Sequence, residues 1–278
     1  MLDYTKKITF FSKLAVKAFQ IGSGALSATF LLSSTALAQL GASPLIIEAE
    51  TNRGQAQTMI NVINAGDTPL RARIYTEPFT YDRDKGFQTL PSDTNDLSPY
   101  LQFSPRELTI PPGVTRRVRL RAILAPSLPD GEYRTAVFAE TLKESVNGSG
   151  KNVGVITRVA TTVYIRKGDV SPNLTVDSAQ FNANQKTLQL LVENIGDASV
   201  RLGANWQLKQ GERIIQTGES VPTAIVAQSD RNLILNNHPE SEALALLPGN
   251  YQLTGELIWG DDNSNQLPFS VTLTVPEQ

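Results

Sequence analysis

The stretch LQFSPRELTIPPGVTRRVRLRAILAPSLPDGEYRTAVFAE, residues 101–140, predicts the fold. It contains a PPG turn at residues 111–113 and a longer loop at 126–131, because proline presets φ and the glycine that follows accepts backbone angles that other residues resist. Apolar and polar residues alternate on either side of these turns, as they do in strands with one buried and one solvated face. Strand, turn, strand, loop and strand in this order are typical of half of an immunoglobulin-like β-sandwich.

The middle strand of this stretch carries an arginine at every second position, at Arg117, Arg119 and Arg121. A solvated outer face, with Val118 and Leu120 pointing inward, explains the alternation completely. Three guanidiniums on one face would also attract carboxylates or phosphates, so an anion-binding or partner-binding surface is the alternative. We favour the solvated face from the sequence alone.

Two short motifs occur twice along the chain, in the same order and with comparable separation. The sequence NAGD at residues 64–67 returns as NIGD at 194–197, and LPDGEY at 128–133 returns as LPGNY at 247–251. Tyr133 and Tyr251 are expected to bury their rings and bond backbone at a sandwich corner. The pattern predicts an all-β protein with two immunoglobulin-like β-sandwich domains in tandem, at residues 39–167 and 168–278. A linker at 166–172 joins them.

Residues 1–38 have the pattern of a signal peptide. Four lysines precede a small, apolar segment at 21–32, and the sequence ALA at 36–38 supplies the small residues that a signal peptidase requires. An uncleaved membrane anchor is the alternative, but glycines and serines interrupt the apolar segment and it is short for a stable span. We therefore expect a mature chain that begins at Gln39, is exported to the periplasm and is not embedded in a membrane.

The composition excludes several classes of function. The chain has 278 residues, of which 40% are hydrophobic and 19% charged, so it is globular and long enough for two domains. Residues 39–169 hold 16 basic and 14 acidic residues, whereas residues 170–278 hold 5 and 12. This balance does not fit a nucleic-acid-binding protein, which must neutralise many phosphates. No cysteine is present, which excludes disulfides and thiolate metal sites.

The residues for catalysis are also missing from the sequence. The single histidine, His238, lies in the polar segment NNHPES, where a solvated side chain is the ordinary interpretation. No glycine-rich phosphate loop and no acidic cluster with calcium-loop spacing occurs. We predict no enzyme activity, no catalytic residues, no metal, no cofactor and no small-molecule substrate. A carbohydrate-binding or anion-binding module would need exposed aromatic residues, and Trp206 and Trp259 lie in strand patterns that core burial explains.

The sequence SPRELTIPPG at 104–113, the basic strand after it and LPDGEYR at 128–134 together resemble the PapD-like family of periplasmic pilus-assembly chaperones, in particular its divergent branch. The resemblance covers about residues 44–167, and the second sandwich only in general layout. It implies a two-domain periplasmic chaperone. Such a chaperone donates the last strand of its first domain to a pilus or fimbrial subunit, or another secreted β-protein, that lacks a strand. The binding is β-augmentation, in which backbone hydrogen bonds supply affinity and alternate side chains fill the open core of the client.

The resemblance places the donated strand at residues 153–165, after the loop-like segment KESVNGSGKN at 143–152. One face of this strand would bind the partner. Its residues are Val153, Val155, Thr157, Val159, Thr161, Val163 and Ile165. If these valines point outward they form an exposed apolar row, whereas if they point inward they belong to the core of the first domain.

Two positions depart from the family pattern. The family binds the terminal carboxylate of the client with an arginine near the start of the first strand and a lysine in the donated strand. The first position falls in residues 44–48, which contain no arginine, and the second falls near Thr161. Arg158, Arg166 and Lys167 are the candidates for a substitute carboxylate or anion contact. A non-enzymatic, immunoglobulin-like structural or adhesive component of a cell-envelope assembly remains the alternative function.

Overall fold

The computed structural model describes residues 39–142, 156–239 and 244–277. These residues belong to one compact unit. All their regular elements are β-strands except two short 3-10 turns, at Ser98–Tyr100 and Asp261–Asn263. The predicted all-β class with two immunoglobulin-like sandwiches is confirmed. The signal peptide predicted at 1–38 lies outside the described residues.

The N-terminal sandwich is built from two sheets that face each other. Its strands are β1 (Leu40–Ser43), β2 (Ile46–Glu50), β3 (Gln55–Asn64), β4 (Leu70–Glu77), β5 (Phe79–Asp82), β6 (Gly86–Thr89), β7 (Leu101–Ser104), β8 (Glu107–Ile110), β9 (Thr115–Ile123), β10 (Gly131–Thr141) and β11 (Arg158–Lys167). One sheet has the order β1-β3-β9-β7 and the other the order β2-β11-β10-β4-β8. Strands β5 and β6 form a separate hairpin. Among the described residues these two sheets together contain nine strands.

The C-terminal sandwich repeats this arrangement with its own sheets. Its strands are β12 (Leu174–Asn182), β13 (Thr187–Asn194), β14 (Val200–Gln210), β15 (Arg213–Glu219), β16 (Thr223–Ile225), β17 (Ser229–Ile234), β18 (Gly249–Trp259) and β19 (Asn265–Val275). The orders are β12-β13-β17 and β15-β14-β18-β19, with β16 paired to β14.

Each sandwich buries its own apolar cluster. In β9 the alternation is as predicted, since Val118 and Leu120 are buried while Arg117 and Arg119 are exposed. In the second cluster Trp206 is buried and donates its indole N–H to the Leu235 carbonyl over 3.0 Å, and Trp259 packs partly buried against the same cluster. Both tryptophans therefore pack in the core as the sequence predicts, Trp206 completely and Trp259 in part.

The repeated NxGD motifs adopt the same structure in both sandwiches. Asn64 is fully buried, donates to the Thr68 and Ile110 carbonyls over 2.8 and 2.9 Å, and accepts the Gly66 N–H over 3.0 Å. Asn194 is equally buried and accepts the Gly196 N–H over 3.1 Å. In each turn a buried Asn side-chain amide forms hydrogen bonds with backbone groups that the turn leaves unpaired.

The two corner tyrosines also match their prediction. The Tyr133 hydroxyl donates to the Pro129 carbonyl over 2.9 Å, and the Tyr251 hydroxyl to the Leu247 carbonyl over 2.8 Å. Both rings are buried. The repeated turn and the repeated tyrosine corner show that the two sandwiches are built in the same way.

The polar, Gly-, Pro- and Asp-rich composition of residues 82–99 predicts a surface loop, and the structure differs at its start. Strands β5 and β6 form a hairpin over 79–89 that begins with the fully buried Phe79. Phe79 stacks on Phe87 at 5.4 Å and meets Tyr164 edge-on at 5.6 Å. The hairpin thereby covers the outer face of β10 and β11. A sequence rich in Gly, Asp and Lys hid this because only three aromatic side chains carry the packing.

The same hairpin contacts the second sandwich. Arg83 forms an ion pair with Asp230, and the Asn232 N–H donates to the Arg83 carbonyl over 3.1 Å. The Arg231 guanidinium lies 4.7 Å from the centre of the Tyr81 ring. Val226 of the second sandwich joins the aromatic cluster of the first. The sandwiches are therefore joined by packing as well as by the chain.

We predict that Asn64→Ala lowers the free energy of unfolding by about 1–3 kcal/mol, because two carbonyls and one N–H lose their buried partner. The matched control is Asn61→Ala on the outer face of the same strand, which should change it by less than about 0.5 kcal/mol. Urea unfolding of both variants measures the difference. Equal losses in the two variants would contradict the structural role assigned to Asn64.

Candidate functional site

Strand β11, where the sequence places partner binding, begins at Arg158 rather than at residue 153. Val153 and Val155 lie outside the described residues. Thr157 stands just before the strand, donates its N–H to the Thr141 Oγ1 over 3.0 Å and accepts the Thr141 N–H over 3.0 Å. The pairing of β10 with this segment thus starts one residue before β11 itself.

The predicted row faces its own sandwich. Val163 and Ile165 are buried in the first apolar cluster, and Val159 packs against it partly buried. Thr161 is buried as well and donates its hydroxyl to the Pro44 carbonyl over 3.0 Å. Of the two orientations that the sequence allowed, these residues have the inward one. Along the described part of β11, the side chains of this row therefore belong to the core and do not form an exposed apolar surface.

The backbone of β11 offers a different kind of site. On one side β11 pairs along its whole length with β10, from Arg158 opposite Glu140 to Lys167 opposite Gly131. On the other side it pairs with β2, but only from Thr162 to Arg166. No strand among the described residues pairs with Arg158–Thr161 on that side. Half of β11 is therefore a sheet edge.

The hydrogen bonds on either side tell which backbone groups point to this edge. Thr162 donates its N–H to the Leu45 carbonyl over 2.9 Å, away from β10. Because successive N–H groups of a strand alternate in direction, those of Arg158 and Ala160 point the same way. The N–H and C=O groups of these two residues are thus directed at the open edge. Such an edge is a template for another strand.

Apolar side chains adjoin this edge. Leu45, beside the end of the β2 pairing, is 54% exposed, and Ile156, two residues before β11, is 55% exposed. On the outer face Arg158 lies 3.9 Å above the Phe138 ring and pairs with Glu77 at 3.5 Å. Open backbone groups next to exposed apolar side chains are typical of a protein-binding surface.

The three basic candidates have different surroundings. Lys167 donates to the Leu128 carbonyl and lies 3.3 Å from Asp130. Arg166 pairs with Glu48 at 3.2 Å and donates to the Ser199 carbonyl over 3.0 Å. Both therefore bind groups of this chain. Arg158 lies next to the open edge with its side chain 39% exposed, and is the candidate nearest to a partner there.

Arg166 belongs to a buried polar cluster between the sandwiches that the sequence did not reveal. Its centre is Glu132, which is 1% exposed. Glu132 accepts the Ser199 N–H over 2.9 Å, accepts the Ser199 hydroxyl, and lies 3.4 Å from the Arg166 Nε. Burial raises the pKa of Glu132 above 4.5, and the Ser199 hydrogen bonds and the Arg166 charge oppose the shift.

The pKa of Glu132 gives a prediction with a definite sign. Below pH 4.5 the carboxyl is protonated in both folded and unfolded chains, and its contribution to stability is fully present. As the pH rises through the raised folded pKa, the unfolded chain releases this proton more readily, so the contribution decreases. We expect Glu132→Gln, which cannot ionise, to gain stability relative to the natural protein as the pH rises above 4.5.

Urea unfolding of both proteins at several pH values measures this difference. Glu132→Ala is the matched variant, since it lacks the acceptor for Ser199 and should lose about 1–3 kcal/mol at every pH. A difference between natural protein and Glu132→Gln that does not change with pH would overturn the assignment.

The described part of the chain contains no cluster of three or more metal-ligating side chains. No helix within it is long and apolar enough to cross a membrane. The arginines of β9 do not contribute to the β11 edge, since they lie on the outer face of the opposite sheet.

Comparison with known proteins gives similarity of structure. No protein-family model matches the sequence, and no curated protein matches it. Among solved structures, the class 5 fimbriae chaperone CfaA is 13% identical, with 86% of this chain and 100% of that chain covered and a TM-score of 0.49. A chain of the CsuC-CsuE chaperone–tip subunit pre-assembly complex of Acinetobacter baumannii is 16% identical, with 86% and 100% covered and a TM-score of 0.48.

A third structure, the chaperone DraB of E. coli, is 15% identical, with 84% of this chain and 96% of that chain covered and a TM-score of 0.47. All three are likenesses of structure at low sequence identity.

Proposed function

We propose that this protein is a periplasmic chaperone for pilus or fimbrial subunits, or other secreted β-proteins, and binds them at the open edge of β11. The observation that carries the proposal is the half-paired strand, in which Arg158–Thr161 has a neighbour on one side only. A client that lacks a strand has a complementary open edge. Pairing the two edges gives hydrogen-bond partners to the unpaired backbone N–H and C=O groups of both molecules.

The mechanism begins with the backbone. The N–H and C=O groups of Arg158 and Ala160 bond a client strand laid along β11, so the sheet β2-β11-β10-β4-β8 continues into the client. Leu45 and Ile156 supply exposed apolar contacts beside the pairing.

The role of the basic residues follows from their partners. Arg166 and Lys167 hold the end of β11 against the second sandwich and the 126–130 loop, which fixes the strand that the client uses. Arg158 is the residue proposed to contact a client carboxylate, in exchange for its 3.5 Å pair with Glu77. This arrangement replaces the anchor pair of the family, which this sequence lacks.

The test is Ala160→Pro. Proline removes the N–H that points to the open edge and blocks that edge, but leaves the bonds between β10 and β11 in place. We expect the variant to remain folded, with a small change in thermal midpoint, and to lose co-purifying β-proteins in affinity capture from the periplasm. Ala160→Ser keeps the N–H and is the matched control, which should capture as the natural protein does.

Capture by folded Ala160→Pro at the natural level would remove this edge from the mechanism. Stable display of the natural protein on the cell surface without any client would instead favour the alternative, a structural or adhesive component of the envelope.

Export is part of the proposal and has its own test. Since residues 1–38 carry the signal-peptide pattern, we expect the exported protein to begin at Gln39. N-terminal sequencing of the protein recovered from the periplasm measures this. A product that retains Met1, or that only detergent extracts, would contradict cleavage.

A further inference from the structure

The outer face of the sheet β1-β3-β9-β7 carries a row of arginines that the proposed function does not use. Along β9, Arg117, Arg119 and Arg121 all point outward, because Val118 and Leu120 between them are buried in the core. Side chains two positions apart on a strand lie about 6.6–6.8 Å apart on one face. The three arginines thus leave one face of the sheet at even intervals along the strand.

The neighbours of this row carry no compensating charge. The strand pairings place Asn61, Met59 and Gln57 beside the three arginines on β3. On β7 they place Gln102 and Ser104 beside two of them. No outward position that these pairings define is acidic. Within the described residues none of the three arginines has an ion pair, and Arg121 donates to the Gln55 amide oxygen over 2.9 Å.

The arginines of the opposite sheet in the same sandwich are all ion-paired. Every arginine on its strands has a carboxylate partner. The pairs are Arg71 with Glu107, Arg73 with Glu140, Arg134 with Asp93, Arg158 with Glu77, and Arg166 with Glu48 and Glu132. Solvation alone does not explain why one sheet pairs all its arginines and the other pairs none. The row on β9 is therefore available to carboxylates from another molecule.

We infer that this face, named here the arginine face and formed by Arg117, Arg119, Arg121 and Met59, binds an acidic protein segment in extended conformation. Carboxylates at alternate positions of such a segment repeat at about the spacing of the arginines, and guanidinium binds carboxylate with two parallel hydrogen bonds. Met59 is 47% exposed and lines a shallow depression with Gln57, Gln102 and Ser104. The exposed Met59 side chain offers an apolar contact there, which suits a protein side chain better than a sulfated sugar or a phosphate.

The arginine face and the β11 edge are separate surfaces. Strand β9 lies in the sheet β1-β3-β9-β7, and β11 lies in the other sheet. A partner on the arginine face therefore leaves the open edge accessible. The inference does not depend on the chaperone function proposed above.

The experiment measures binding of a fluorescent peptide with alternating Glu and Thr and one central Leu to the purified protein. The main variant is Arg117→Gln with Arg119→Gln and Arg121→Gln. The control is Arg71→Gln with Arg201→Gln and Arg213→Gln, which removes the same charge from other exposed positions. We expect a loss of about ten- to a hundredfold in the main variant, from three exposed charge contacts, and less than about twofold in the control.

Three further measurements make the test specific. Salt should weaken binding of the natural protein, because the contacts are exposed. A peptide without the Leu should bind the natural protein more weakly. If the triple variant is unfolded by circular dichroism, Arg119→Gln alone should still lose affinity about threefold.

Absence of binding to the natural protein, or equal binding by the main variant, would overturn the inference. Tighter binding of heparin or of phosphatidylglycerol vesicles than of the peptide, lost in the main variant, would overturn the assignment to a protein partner.

Discussion

The transfer of the chain from one sheet to the other at Pro44 and Leu45 is the constraint on which the candidate site depends. Before it, β1 pairs with β3, and after it β2 pairs with β11. Two hydrogen bonds hold the crossing, from the Thr161 hydroxyl to the Pro44 carbonyl and from the Thr162 N–H to the Leu45 carbonyl. Because the chain crosses there, it covers β11 only from Thr162 onward. A straight first strand would have covered the edge completely.

The second determinant is how the far end of β11 is held. Arg166 reaches Glu48, Glu132 and the Ser199 carbonyl, so it joins three strands and the second sandwich. A carboxyl as deeply buried as Glu132 is unfavourable unless its oxygens are bonded, and Ser199 bonds both of them. One end of β11 is therefore fixed by charge and hydrogen bonding, while the other remains open. This asymmetry suits a strand that is anchored in one protein and extended into another.

Most of the fold could be predicted from the sequence because local signals carried it. The PPG turn, the alternation around Val118 and the repeated NxGD and LP…Y motifs each rest on residues close together in the chain, and the structure confirms the sandwiches they indicate. The alternation at 153–165 predicts a strand, and the family resemblance gives that strand its role as the donated one. Alternation shows that a strand has two different faces but does not tell which face is buried. It also does not tell on which side the strand lacks a paired neighbouring strand. The open edge depends on where β2 stops, which is a long-range property.

The polar cluster and the hairpin escaped prediction for the same reason. Glu132 and Ser199 are 67 positions apart, and neither stands in a distinctive motif. In the hairpin, Phe79 and Phe87 are separated by a charged turn, so the segment has the average composition of a loop. The basic candidates depend on long-range contacts in the same way. The sequence offers Arg158, Arg166 and Lys167 as carboxylate contacts, but Arg166 and Lys167 meet carboxylates from distant segments of this chain.

The hairpin over 79–89 has a consequence for how the two halves fold. Phe79 and Tyr164 of the first sandwich share one apolar cluster with Val226 of the second, and Arg83 pairs with Asp230 across the same contact. Loss of the second sandwich would expose aromatic surface on the first, and loss of the first would expose Val226 on the second, so the free energy of this contact is gained only when both are folded. The halves are therefore thermodynamically coupled, and unfolding is expected to follow one cooperative transition. A fragment that ends after β11 would be less stable than the same residues within the full chain.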